Sequence, residues 1–293
     1  MVLAESFYTE SAGRKVWLSP RDVKVERDAK GRALSAIDIR TGLPVHSGGI
    51  TKMSKSKNNG IDPQTTIDKY GADTVRLFTM FAAPPEQTLE WSDEGVSGAY
   101  RFLRKLWKMV HDHLRLNSAD PLNVGSLNET QKDLRRKTHE TIGKVNDDYG
   151  RRNTFNTAIA AVMELLNDIA KLNESDAQSI AVRHEALTCA ILLLSPVAPH
   201  ICHSLWATLG NSESVADASW PVVDESALVR MTITLVLQVN GKVRGKIEVS
   251  ADISKQDIEE IALQDANVQR FIEGFTIRKI IIVPGRLINI VAN

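Results

Sequence analysis

Three lysines and two serines fall within six residues: Lys52, Ser54, Lys55, Ser56 and Lys57, with Met53 the one apolar side chain among them. Gly48 and Gly49 precede the group and Gly60 follows it, which gives its approaches the freedom of a loop that can close. Ammonium groups on flexible stems suit a polyphosphate. Each charge-assisted hydrogen bond contributes about 1.5–3 kcal/mol, and a preorganised donor aimed at developing charge is worth about 10²–10³ in rate. The hydroxyls of Ser54 and Ser56 add donors, and Met53 can pin the loop to the body. The plainer alternative is a solvated basic loop.

The elements that must position this loop are legible on both sides of it. Between Trp17 and Gly49, β-branched runs (Val23 to Val25, Leu34 to Ile39) alternate with turn material such as Asp28-Ala29-Lys30-Gly31, which predicts a small β-rich unit. After the lysines, Asp62-Pro63 supplies an N-cap and a first-turn proline. Gly71 ends that helix, another runs through Leu77, Phe78 and Phe81, and Pro84-Pro85 closes the region. From Asp93 to Asn211 the apolar period is helical: Val96, Ala99, Leu103, Leu106, Val110 and Leu114 form one stripe, and Phe155, Ile159, Val162, Leu166 and Ile169 another. Beyond the spacer NSESVADASWPVVDESA the period changes to two around Asn240-Gly241, a strong hairpin signal. Ser254 then opens a short helix, and two strands flank Pro284-Gly285.

The 293 residues carry no net charge, but the neutrality is a cancellation. Residues 101–152 hold 12 basic and 7 acidic side chains, whereas 153–229 hold 2 and 9, so a polyanionic partner stays open. Arg101, Arg104, Lys105, Lys108 and Arg115 share a helix face opposite the apolar stripe, and Arg135, Arg136, Lys137, Arg151 and Arg152 extend the charge. Lys242, Arg244 and Lys246 alternate with Val243, Gly245 and Ile247, which predicts one charged strand face. A solvated helix face and edge-strand protection are the alternatives. Trp91, Trp107, Trp206 and Trp220 read as core packing rather than stacking platforms.

His200, Cys202 and His203 sit too close on one helix to face a common metal, so no metal site is expected. Cys189 and Cys202 are the only cysteines, which points to a reducing compartment. No uninterrupted apolar run approaches the ~18 residues of a membrane span, and MVLAESFYTES lacks a basic leader. The expected location is the cytoplasm, away from membranes.

Lys52-Met53-Ser54-Lys55-Ser56 is similar to the KMSKS signature of class I aminoacyl-tRNA synthetases. KMSKSKNNGIDP, YGADTVRLFTMFAAPPEQTLEWSD, RRNTFNTAIAAVMELLN, LLLSPVAPHICHSLW, LQVNGKVRGKIEV and IRKIIIVPGRLINIV resemble the C-terminal portion of the bacterial leucine enzymes. The resemblance covers the whole chain. It implies a multidomain α+β fold: a catalytic-domain end with a β-rich leucine-specific insertion (1–50), the signature loop and its helices (51–92), a helical anticodon-binding-type bundle (93–225) and a small α/β domain (230–293) that binds tRNA.

The implied activity is ATP-dependent activation of leucine and its transfer to tRNA(Leu), with Mg²⁺. In that scheme ATP meets Lys52, Met53, Ser54, Lys55 and Ser56. Lys55 contacts the phosphates, Lys52 assists and the serines position the loop; both lysines are the catalytic candidates. The tRNA candidates are Arg101, Arg104, Lys105, Lys108, Arg151, Arg152, Lys242, Arg244 and Lys246. No His-x-Gly-His signature occurs in the sequence. The expectation is therefore a piece that is inactive alone and works with an N-terminal catalytic and editing portion, in a full-length protein that is monomeric. A stand-alone RNA-binding module, or another nucleotidyltransferase with a mobile lysine loop, are the competing readings.

Overall fold

The computed structural model describes every residue except 30–32, 117–119, 230–231 and 251–252, and the side chain of Thr232. Lys30 and Gly31 of the expected turn lie outside the described residues. The chain divides into two compact units, Met1–Ala227 and Leu228–Asn293.

Unit one starts with a strand that periodicity did not predict, β1 (Val2–Ser11). It pairs antiparallel with β2 (Arg14–Leu18) and β5 (His46–Lys52), and parallel with β6 (Leu89–Glu90). The predicted runs form a separate antiparallel hairpin, β3 (Val23–Arg27) with β4 (Ala33–Asp38). Gly48 and Gly49, expected in a mobile flank, lie inside β5. A Cβ on Gly48 would stand 2.7 Å from both Ser6 Oγ and the Trp17 ring, and Gly49 has φ +74° beside the β1/β5 register shift. The pair lets the strand bulge against β1, and only glycine fits both demands.

Helix α1 (Pro63–Tyr70) begins where expected: Asp62 caps it by accepting from Gln64 N and Thr65 N. The Thr65 hydroxyl and the Gln64 N–H hold the Asp62 carboxyl below its usual range. Gly71, at φ +85°, breaks it from α2 (Ala72–Ala82). A bundle follows, made of α3 (Asp93–Leu114), α4 (Glu129–Asp147), α5 (Phe155–Lys171), α6 (Ala177–Leu194) and α7 (Pro199–Thr208). The α3 stripe is buried from Val96 to Val110, each large aliphatic contributing about 1.5–3 kcal/mol; Leu114 at its end is exposed. Helix α6 is long and apolar enough by length and composition to cross a membrane, but 61% of it is buried inside the structure, as befits the central helix of a bundle. A single turn, α8 (Glu225–Leu228), ends the spacer.

Unit two is a four-stranded sheet in the order β8–β7–β10–β9, from β7 (Thr232–Val239), β8 (Lys242–Ser250), β9 (Ile277–Val283) and β10 (Leu287–Ala292). Asn240 and Gly241 both have positive φ, 50° and 78°, in the hairpin turn, which matches the strand twist. Helices α9 (Lys255–Gln264) and α10 (Ala266–Ile272) pack Ile258, Ala262, Val268 and Ile272 on Leu235, Leu237, Val239, Ile288 and Ile290.

Candidate functional site

The lysine loop leaves the sheet at the end of β5. Lys52 is its last residue, and Met53 N still donates to Val2 O at 3.2 Å, holding the half-buried Met53 against β1. Ser54 then caps a 3₁₀ turn, Lys55–Lys57, its Oγ accepting from Lys57 N. Ser54 Oγ and Ser56 Oγ lie 3.2 Å apart. Asn58 closes the turn at φ 52°, a left-handed conformation that asparagine tolerates.

Asn59 follows the signature by three residues, and its side chain is fully buried beneath the loop. Its Oδ1 accepts from Ser54 N at 2.9 Å. Its Nδ2 faces Thr51 Oγ1 at 3.3 Å, Ala4 O and Lys52 O at 3.4 Å, and Thr51 O at 3.5 Å. No spacing rule could have found the contact with β1, because Ala4 is 55 residues away.

The three lysines separate in space. Lys57 is half-buried with its Nζ 5.5 Å from the Trp17 ring centroid, a cation–π distance. Lys52 and Lys55 are exposed, and among the described residues neither has an acidic partner. Two unneutralised ammonium groups on one short loop are chemically suited to phosphate oxygens.

The basic candidates elsewhere divide by what already holds them. On α3, Arg101 reaches Ser97 Oγ at 2.9 Å, Arg104 lies over the Tyr100 ring, and Lys105 donates to Asn167 Oδ1 at 2.6 Å. Lys108 is paired with Asp112, which also meets Arg115 at 3.4 Å. The Lys108 hydrogen bond keeps the Asp112 carboxyl below its usual range.

Arg151 and Arg152 lie on a π-helical turn, Asp148–Arg152. Arg151 grips Asp147 through Nε at 2.5 Å and a terminal nitrogen at 2.9 Å, while Arg152 meets the fully buried Asp148 at 3.3 Å. Burial opposes ionisation of Asp148, but hydrogen bonds from Thr157, Lys144 and Thr154 outweigh it. Arg135, grouped with this surface in the sequence, is instead buried, 3.2 Å from Glu185 and 2.6 Å from Asp224.

In unit two the expected single charged face does not form. The β7/β8 register shifts between Leu237 and Gln238, which face Gly245 and Val243, leaving Arg244 as the extra residue of a bulge. Arg244 swings onto the helix side, its guanidinium 3.5 Å from the Phe271 ring centroid. Lys246 pairs with Val236 on the opposite, helix-free face, and Lys242 sits beside the turn opposite Val239. A bulge inverts alternation, and the sequence carries no signal for it except Gly245.

Two of the tryptophans depart from core packing. Trp206 is buried and Trp91 is half-buried against Phe78, but Trp107 and Trp220 are 38% and 39% exposed. In the H-x-C-H cluster, His200 Nδ1 lies 2.8 Å from Asp73 and Cys202 is fully buried, its thiol pKa pushed up by burial.

Residues 39–92 match a family described as tRNA synthetases class I (I, L, M and V), and residues 131–260 match the anticodon-binding domain of tRNA ligase. The whole chain is 62% identical to a leucine–tRNA ligase of Marinobacter nauticus and 60% identical to one of Cellvibrio japonicus, covering 34% of each. A solved ternary complex of LeuRS with tRNA and LeuAMS, from Agrobacterium radiobacter K84, superposes with a TM-score of 0.70 at 28% identity, over 83% of this chain and 32% of that one. The chain therefore spans about a third of the length of the relatives it matches. From end to end the chain is thus similar to a segment of leucine–tRNA ligases, and residues 39–92 to the class I tRNA synthetases.

Proposed function

We propose that this chain supplies the phosphate-contacting loop and the RNA-binding surfaces of a leucine–tRNA ligase, acting with an N-terminal catalytic and editing portion and inactive alone. The reaction joins a leucine carboxylate oxygen to the α-phosphorus of ATP while the bond to the bridging oxygen breaks and pyrophosphate leaves; the leucyl group then passes to a ribose hydroxyl of tRNA(Leu), its bond to the phosphate breaks and AMP leaves. Negative charge shifts onto the departing pyrophosphate, and the unpaired ammoniums of Lys55 and Lys52 are the groups of this chain suited to meet it. Among the described residues no cluster of three histidine, cysteine or acidic side chains is set to hold a metal. In this reading Mg²⁺ would come with the nucleotide and neutralise part of its phosphate charge.

The same reading gives residues 1–50 to the end of the catalytic domain with its insertion, 51–92 to the signature loop and its helices, 93–225 to tRNA docking and 230–293 to a terminal tRNA contact. Arg101, Arg104 and Lys105, which carry no carboxylate partner among the described residues, are its first phosphate contacts. Lys108, Arg151 and Arg152 must share or release one. Lys242, Arg244 and Lys246 act as separate contacts rather than a ridge. The full-length protein is read as a cytoplasmic monomer.

The observation that carries the proposal is the pair of lysines without acidic partners among the described residues, Lys52 at the end of β5 and Lys55 on the capped turn, within a chain 62% identical along its length to a leucine–tRNA ligase. Its test is Lys55→Ala in the full-length protein. Leucine-dependent ATP–pyrophosphate exchange should fall by about 10²–10³ with the fold intact, and undiminished exchange removes Lys55 from the reaction.

A further inference from the structure

We propose that Asn59 is the positioning residue of the lysine loop: its buried carboxamide fixes where the Lys55 ammonium is presented, and so controls the chemical step without touching a substrate. This rests on the ligase reading above.

The side chain is completely buried and bonds three separate pieces of chain. Its oxygen takes the backbone N–H of Ser54, the residue that caps the Lys55–Lys57 turn. Its nitrogen is directed at the carbonyls of Ala4 in β1 and of Thr51 and Lys52 at the end of β5, with the Thr51 hydroxyl nearby. One planar group therefore ties the residue before the loop, the residue that opens its turn, and the neighbouring strand. Lys55 to Lys57 are left outside this tie as the part that projects. Asn58, in its left-handed conformation, turns the chain so that the next residue points inward.

Alanine at 59 strands the Ser54 N–H and removes the carboxamide donors directed at the carbonyls beneath the loop. The turn then loses its reference to the sheet while the sheet keeps its ladder, β1 being paired with β5 from Leu3 to Tyr8. The expected signature is thus kinetic rather than global.

The test uses the full-length protein, with exchange followed against leucine and ATP concentration and with thermal unfolding. Asn59→Ala should lower kcat about 100-fold and leave KM for leucine within about twofold and Tm close to wild type. If the alanine protein does not fold, Asn59→Ser, which keeps one donor and one acceptor, should fold and give an intermediate kcat. A folded Asn59→Ala or Asn59→Ser protein with wild-type kcat, beside a Lys55→Ala protein that has lost exchange, overturns the positioning role and leaves the ligase reading standing. A rise in KM for leucine matching the loss in kcat marks a general structural lesion and also overturns it. Absence of exchange in the wild-type full-length protein removes the ligase reading and this role together.

Discussion

Arg135 belongs to a run of cations, with Lys132, Arg136 and Lys137, that reads along the chain as a surface for phosphate. In the fold its side chain is only 7% exposed and is held between Glu185 of α6 and Asp224 of the spacer. Burial opposes its charge, and the two carboxylates more than compensate, raising its pKa. His139 joins the group: Nδ1 accepts the Asp224 N–H, so Nε2 carries the proton towards Glu185 at 3.3 Å. Arg135→Ala leaves Glu185 without its cation in a poorly solvated place and should cost about 3 kcal/mol, read as a lower urea midpoint at unchanged m. Arg151→Ala breaks an exposed pair one turn long and should leave the urea midpoint almost unchanged, with any larger effect confined to RNA binding. The contrast marks what one dimension reveals at this scale. The lysine–serine loop was legible because its chemistry is contiguous from Lys52 to Ser56. Arg135 and the diversion of Lys57 to Trp17 were not, because each is defined by partners 40 or more residues away, and Asn59 was not, because its burial depends on β1 as well as on the nearby end of β5.

Local chemistry fixes most element boundaries: Asp62 and Ser254 cap helices, Gly71 separates α1 from α2, and Asn240-Gly241 turns the hairpin. What it misses is non-local. Strand β1 carries Glu5, Ser6 and Thr9 among its apolar residues, and while β2 pairs with it locally, its other edge is covered by β5, about 40 residues later. How the elements dock is equally unreadable. Asp73 at the start of α2 accepts from Ile201 N at 2.7 Å and meets His200 Nδ1, capping α7 from 128 residues away, while Arg76 bonds Pro196 O and Val197 O. Asp73→Ala should therefore cost about 1–2 kcal/mol, measured by thermal unfolding. Helices α3 and α6 meet through His113 and His184, whose ring nitrogens lie 3.2 Å apart. Burial holds His113 at about 4, helped by the nearby His184 and Arg183, and lowers His184 too; Asp120 and Glu185 line the same cavity. Unfolded histidine titrates near 6.5, so between about pH 6.5 and 4 the unfolded chain binds more protons than the fold. The stability tied to these neutral rings is complete above that window and is lost as pH falls through it. Tm should decline across the window, and His113→Gln should flatten the decline; an unchanged slope would mean the pair is not what the acid limb reports.

At the scale of the molecule, the change of period near residue 230 has a physical origin: the bundle core and the core of the terminal module are built from different side chains. The bundle cluster runs from Leu77 to Val215, and the second cluster from Leu235 to Ala292. A module as small as Leu228–Asn293 is near the lower limit for independent folding. It nevertheless closes its own sheet, caps both of its helices with Ser254 and Asp265, and buries Leu235, Leu237, Ile288 and Ile290 almost completely. Cooperativity is carried by contiguous packing, so units with separate cores unfold separately. Urea denaturation should show two transitions, the smaller with an m of about 1 kcal/mol/M, because m scales with the surface exposed. A chain ending at Ala227 should lose that transition alone and keep the acid-sensitive one, since His113 and His184 both lie in the bundle. A single transition, shifted as a whole by the truncation, would show that the terminal module draws its stability from the bundle, and the independence inferred from the two cores would fail.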